Sequence, residues 1–446
     1  MALPTDEPRL TAAAASRHTR NRTITTWVNS TYFAEGFPYM IVRYMTSVYF
    51  TDIGVREAYL GFLNFLGIPW NLKFLWAPLV DYFSTKRRWL LTIEAMLTCG
   101  ILLIASLAPW GIQSSLQASS FALLNNPAMV LQWIIFICIA LAFISATHDI
   151  AIDAYYLAAL TDPAAQARYT GDRVLSYRIA VIYVKSLLVA AAATIGWFWS
   201  WTAAAGTMLL LFAFHSWFLP SPEQQQTRGS NRLTDLFRHF FAAFRTYLTQ
   251  PRVAIMLLFV IGYKLGDEIM FSMNTPFLLR ELGMTKGQLS WVAGILGTIG
   301  TILGSVLSAT WIARVGLRRA IWPLTLLMNL NIWAYVALAY WKPDPATFTG
   351  IALIAAVHTY EQWAAGLGNA VLMIYLMRTC RAEFKAAHYA VGSALMSVGS
   401  TLFGGFGGVI VESIGYVWLY ILGFCAAVPS MILIFWIPHL DARDSR

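Results

Sequence analysis

Apolar residues in this chain gather into runs of about twenty, separated by short polar stretches. As α-helices, runs of that length match the hydrocarbon thickness of a bilayer, about 30 Å. The pattern predicts twelve helices, at 27–50, 57–80, 89–108, 128–156, 174–196, 199–219, 253–279, 288–312, 320–341, 349–377, 389–411 and 416–437. The third to sixth, and the last, are conventional apolar runs. The first, fourth, seventh and tenth each carry ionisable groups near the middle. The expected fold is an all-α membrane protein of two six-helix bundles.

A long polar stretch at 221–252 separates the two sets of six. Its first part is loop-like, whereas 232–248 alternates a basic and an aromatic face at helical period, as in a helix lying along a membrane surface. The domains are therefore read as a tail at 1–26, a bundle at 27–220, a linker at 221–252, a bundle at 253–437 and a tail at 438–446. The halves echo one another. PheThrAspIleGly at 50–54, followed by Leu60, matches LeuArgGluLeuGly at 279–283, followed by Leu289. Such internal repetition is common in secondary transporters.

Composition strengthens the membrane reading. The chain is 58% hydrophobic and 12% charged, with a mean hydropathy of +0.59, far from the balance of a soluble domain. The formal charge of +9 comes from short basic clusters between apolar runs, not from the continuous stripe that a nucleic acid would need. Those clusters report orientation. Twenty-two of the 31 basic residues, including Lys86, Arg87, Arg88, Arg238, Arg318, Arg319 and Arg378, lie on one side of the predicted spans. Arg56, Arg280, Lys286 and Lys342 lie on the other. Both termini are therefore expected in the cytoplasm. The first 24 residues are polar, with no cleavable signal sequence, so the first span itself is expected to target the chain. Cys99, Cys138, Cys380 and Cys425 sit in or beside apolar runs without metal-ligand spacing, and neither disulfides, metal nor cofactor is expected.

Twelve charged residues fall inside the predicted spans: Glu35, Arg43, Lys73, Glu94, Asp149, Asp153, Arg178, Lys185, Lys264, Asp267, Glu268 and Glu361. At about 3 kcal/mol each on insertion scales, facing lipid would cost on the order of 36 kcal/mol. They must instead face one another or water. Glu94, Lys73, Arg178 and Lys185 are read as structural ion pairs between helices. The rest concentrate on the first, fourth, seventh and tenth spans, the opening helices of successive three-helix units. Asp149 and Asp153, with His148 adjacent, share one helix face by their spacing, as do Lys264, Asp267 and Glu268. Glu35 and Glu361 complete the set, which is read as a central cavity and a proton-coupling device. Tyr32, Tyr39, Tyr156, Tyr263 and Tyr360 on the same helices are candidate substrate aromatics. Gly36 and Pro38 suggest a bent first helix. Asp81, at the end of the second span, with Arg87 and Arg88 in the basic loop beyond, is a candidate gate. No catalytic residue is expected.

Segments TyrPheAlaGluGlyPheProTyr (32–39), LeuLysPheLeuTrpAlaProLeuValAsp (72–81), ThrHisAspIleAlaIleAspAla (147–154) and TyrLysLeuGlyAsp (263–267) resemble the AmpG-type permeases of the major facilitator superfamily, a group that includes acetyl-CoA transporters. The resemblance runs from about residue 27 to 437. It implies a monomeric secondary transporter in a bacterial inner membrane, driving a small molecule with protons. The implied cargo is an anhydro-muropeptide moving from periplasm to cytoplasm. Glu35 stands where the muropeptide permeases have a small or polar residue, and His148 where Gln is usual, so another ligand is open. Siderophore or acyl-CoA carriage are the alternatives within transport. A membrane-embedded acyltransferase is the alternative outside it, with His148-Asp149 as the only candidate pair.

Overall fold

The computed structural model describes residues 7–82, 84–113, 127–221, 233–381, 383 and 385–441. Among them every regular element is a helix. By length and composition, seven helices are apolar enough to cross a membrane: Lys86–Trp110, Met129–Ala159, Thr170–Thr194, Trp197–Phe218, Lys286–Val315, Leu317–Trp341 and Gly407–Leu433. Their outer faces are strongly apolar, with Leu210 72% and Trp217 86% exposed, as suits contact with lipid tails and headgroups.

Helix one differs from its expected boundary. It begins at Glu7 and runs unbroken to Met40, so the backbone of most of the expected 1–26 tail is helical. Pro38, which has no N–H to give to the preceding turn, is followed by a widened turn at Ile41–Met45. The Thr46 side chain and backbone N–H both donate to the Ile41 carbonyl that this widening leaves free. Gly36 brings the helix against Tyr177, where an added Cβ would lie 3.0 Å from the ring.

Two further segments are broken far more than sequence suggested. The second runs as Glu57–Phe62, Leu63–Gly67, Ile68–Leu72, Lys73–Leu75 and Ala77–Tyr82, with Pro69 and Pro78 among its interruptions. The seventh runs as Val253–Gly262, Leu265–Ser272, Asn274–Pro276 and Phe277–Glu281. Elsewhere glycines let helices close up. Gly304 sits against the Trp363 carbonyl, joining Gly297–Val315 to Phe348–Thr379.

The apolar core shows how the halves meet. One buried cluster joins both, combining Phe50, Ile101 and Trp201 with Phe277, Leu289 and Tyr335. At the opposite end the cores separate: Phe259, Tyr263 and Tyr375 belong to the second half, Trp27, Tyr155 and Leu219 to the first. The joined end also carries ion pairs between halves. Arg280 reaches the Val55 carbonyl at 2.6 Å, the Thr51 carbonyl and Glu57 at 3.1 Å. Lys286 meets Asp52 at 2.7 Å, and Arg56 meets Glu412 at 2.8 Å. Gly408 packs directly on the Glu57 carbonyl. At the other end the linker helix Leu233–Leu248 packs against Lys385–Gly405 and Ala77–Tyr82. The linker residues 222–232 and the tail residues 442–446 lie outside the described residues.

Candidate transport pathway

Helices one, five, seven, eight and ten, with the broken second segment, surround a cavity of about 410 Å³. Lys264 occupies the break between Val253–Gly262 and Leu265–Ser272, where the interrupted helix turns its side chain inward. Its Nζ lies 3.5 Å from Asp267, 3.2 Å from Glu268 and 2.8 Å from Asn369 Oδ1. Asp267 is buried and half of a contact with Asn331, which donates at 3.5 Å. Glu361 is fully buried and accepts from Gln362 at 2.8 Å through one oxygen, while Oε1 has no partner. Behind it, Asn274 donates to Tyr335 at 2.9 Å, and the Tyr335 hydroxyl meets His358 Nδ1 at 2.7 Å.

A second cavity, about 580 Å³, lies on the linker side of the first. Tyr39, Tyr177 and Asn369 line both, so they form the neck between two chambers. In this second chamber Lys73 pairs closely with Asp149, and Glu35 stands beside Asp149 with Oε2 unpartnered. Each chamber thus holds a trio of similar make-up, two carboxylates and one lysine, with Arg43, Arg178, Lys185 and Glu361 also in the first. Asp153 faces further out, bonded to Arg173 at 2.8 Å and to the Tyr32 hydroxyl at 2.8 Å.

Several expected site residues are placed elsewhere. His148 is fully buried and turned from the chamber, 3.5 Å from Glu94, which also meets His215 at 2.6 Å. Successive residues on a helix point about 100° apart, so His148 cannot follow Asp149 into the cavity. Tyr32 and Tyr156 serve instead to sandwich Arg173, whose guanidinium lies 4.3 and 4.4 Å from their ring centres. Tyr263 is sealed in the second-half core and bonded to Thr325 at 3.1 Å. Tyr360 donates to the Leu327 carbonyl at 3.2 Å, away from both chambers. Of the five aromatics only Tyr39 lines a chamber.

Of the gate residues, Arg87 caps the Trp197–Phe218 helix, donating to the carbonyls of Leu219 at 3.1 Å and Ser216 at 2.5 Å. Arg88 is exposed. The Asp81 side chain lies outside the described residues.

Chamber residues that sequence reasoning passed over include Lys73, Arg178 and Lys185, read there as structural pairs, and Arg43, Tyr177 and Asn369. For Lys73 a signal was present. It lies in a segment crowded with Pro69, Asn71 and Pro78, the composition of an irregular helix near a cavity.

The pathway has relatives. The family model described as Major Facilitator Superfamily matches residues 264–446, and that described as Acetyl-coenzyme A transporter 1 matches residues 33–176. The chain is 28% identical over 411 residues to the anhydromuropeptide permease of Escherichia coli (strain K12), covering 90% of this chain and 77% of that one. It is 25% identical over 408 residues to the putative transporter AmpG 4 of Rickettsia felis, covering 90% and 93%. Among solved structures, a D-xylose-proton symporter superposes with a TM-score of 0.65 at 13% identity, over 95% of this chain and 99% of that one. The nucleoside transporter NupG gives a TM-score of 0.61 at 15% identity, over 92% and 97%. These relatives are transporters, so the alternative of an acyltransferase built on His148-Asp149 falls away. The chain is a multi-pass membrane protein similar to the AmpG-type permeases and, over residues 264–446, to the major facilitator superfamily.

Proposed function

We propose that this transporter imports an anhydro-muropeptide, or a related amphipathic solute, together with protons across a bacterial inner membrane. In this reading twelve spans form two bundles, both termini face the cytoplasm, and the Arg280 end faces the periplasm. The observation that carries the proposal is the pair of trios. Glu35, Asp149 and Lys73 sum to one negative charge without a proton and to zero with one. Lys264, Asp267 and Glu268 do the same. A neutral cluster crosses a closed, dry intermediate far more easily than a charged one. Proton uptake therefore licenses the conformational change, and its release on the other side resets the cycle.

The cargo assignment draws on the similarity to the anhydromuropeptide permease. The match of residues 33–176 to an acetyl-CoA transporter model supports a second reading, acyl-CoA carriage. Proteoliposomes carrying the full chain and a pH dye separate them. Anhydro-muropeptide should drive proton entry and accumulate against its gradient, and acetyl-CoA should not. Solute entry without proton movement would remove the coupling; proton movement with acetyl-CoA alone would exchange the cargo.

A further inference from the structure

The chamber beside Lys264 holds three cations that have no carboxylate partner. Lys185 is 6% exposed, and its Nζ sits 4.9 Å from the ring centre of Tyr44. It makes no ion pair with any described residue, although Glu361 lines the same chamber. Arg43 donates only to backbone, at 2.8 Å to the Asn64 carbonyl and 3.5 Å to that of Leu63. Arg178 lines the same cavity and, among the described residues, has neither hydrogen bond nor ion pair. Lys264 on the facing wall is different, because Asp267, Glu268 and Asn369 satisfy it.

A cation left unpaired in a low-dielectric site is costly, and two close together also repel. Evolution could have removed such a cost by substitution, as a leucine would pack there. The Tyr44 hydroxyl, in a residue 8% exposed, is likewise buried without a partner and lines this wall. Two unanswered charges, a guanidinium held in place by backbone carbonyls and an unanswered hydroxyl therefore converge on one side of a cavity. Guanidinium groups bind carboxylates and phosphates through paired hydrogen bonds, and a lysine adds a point charge.

We infer that Arg43, Tyr44, Arg178 and Lys185 form the binding site for an anionic group, a carboxylate or phosphate, of the transported solute. The assignment rests on the reading that cargo passes through this chamber, but not on which cargo it is. The first half thereby selects the negative end of the solute, and the second half carries the lysine–carboxylate trio.

Binding to the purified full-length chain in nanodiscs tests this. The probes are anhydro-muramyl tripeptide with free carboxylates, the same compound with its carboxylates amidated, and acetyl-CoA, whose charge is phosphate. Lys185→Gln and Arg178→Gln should each weaken the free acid at least about tenfold, as expected for loss of a charged hydrogen bond. The amidated compound should change far less, and Lys185→Arg should restore most of the affinity. Without ligand the two Gln variants should melt no lower than the parent, since an unpaired charge has gone from the cavity wall. If acetyl-CoA alone binds and shows these losses, the anion site stands and the muropeptide reading falls. Equal losses for charged and amidated compound, a lower melting temperature with unchanged selectivity, or no binding of either anionic probe would overturn the inference.

Discussion

Asp149 stands between a lysine and a second carboxylate, and that position gives it two duties at once. It neutralises Lys73 and shares the chamber's negative charge with Glu35. Asp149→Asn keeps the shape but leaves Lys73 facing only Glu35, so the trio becomes neutral without any proton. Under the proposed coupling, uptake by proteoliposomes should then depend less steeply on an acidic exterior, keeping only the contribution of the Lys264 trio. The sign follows from the proposed coupling: parental uptake should decline as external pH rises, and the variant should decline less. Glu94 makes the contrasting case. It lies between His148 and His215, fully buried and away from both chambers, and Glu94→Gln should destabilise the fold by about 3 kcal/mol by breaking that cluster. Thermal melting would register the loss, with the pH profile of the surviving protein unchanged. Sequence carried the reading of Glu94 as structural and of Asp149 as a chamber residue, because lone and clustered charges differ in spacing. It misassigned His148, since adjacency along a helix says nothing of which side of the helix a residue faces.

Several of the helices that surround the chambers depart from ideal geometry. The widened turn after Pro38, pieces of 57–82 and the break at Lys264 lie against the cavities. None of these segments is among the seven that length and apolarity identify as membrane-crossing. Hydropathy therefore finds some chamber helices, such as Thr170–Thr194 and Lys286–Val315, and misses the broken ones, for a physical reason: a helix beside water keeps polar residues and can release backbone groups to it. The bend at Pro38 could be read from sequence. The break at Lys264 could not, because TyrLysLeuGlyAsp contains no proline and its interruption is set by packing, with Gly266 pressed against the Gly423 carbonyl. Regular helices have their own constraint. At Gly304 a side chain would collide with the Trp363 carbonyl, so Gly304→Val should cost about 2 kcal/mol or more and lower both melting temperature and expression.

On the scale of the whole molecule, the structure is closed at one end. The halves share a core and ion pairs around Arg280, and their cores part toward the linker. Arg280→Ala removes the donor that reaches three carbonyls and Glu57, which should favour the opposite opening. A cysteine placed at Ser47, in the chamber wall, should then react with an impermeant maleimide added from the Arg280 side several times faster than in the parental background. No change in labelling would mean that Arg280 is not part of the seal. The segments bearing Asp52 and Arg280 were visible in sequence as the echo between halves, but their pairing across the halves was not, because each motif was matched to its counterpart and not to its contact.

That sealed end has a pharmacological consequence. In this state a compound approaching from the Arg280 side meets a salt-bridged wall, so a competitor for the chambers reaches them from that side only when the seal opens. A large binder faces no such barrier. An antibody fragment gripping the exposed Arg56 and its partner Glu412 would clamp the two halves from outside, arresting the cycle without ever touching the cargo site.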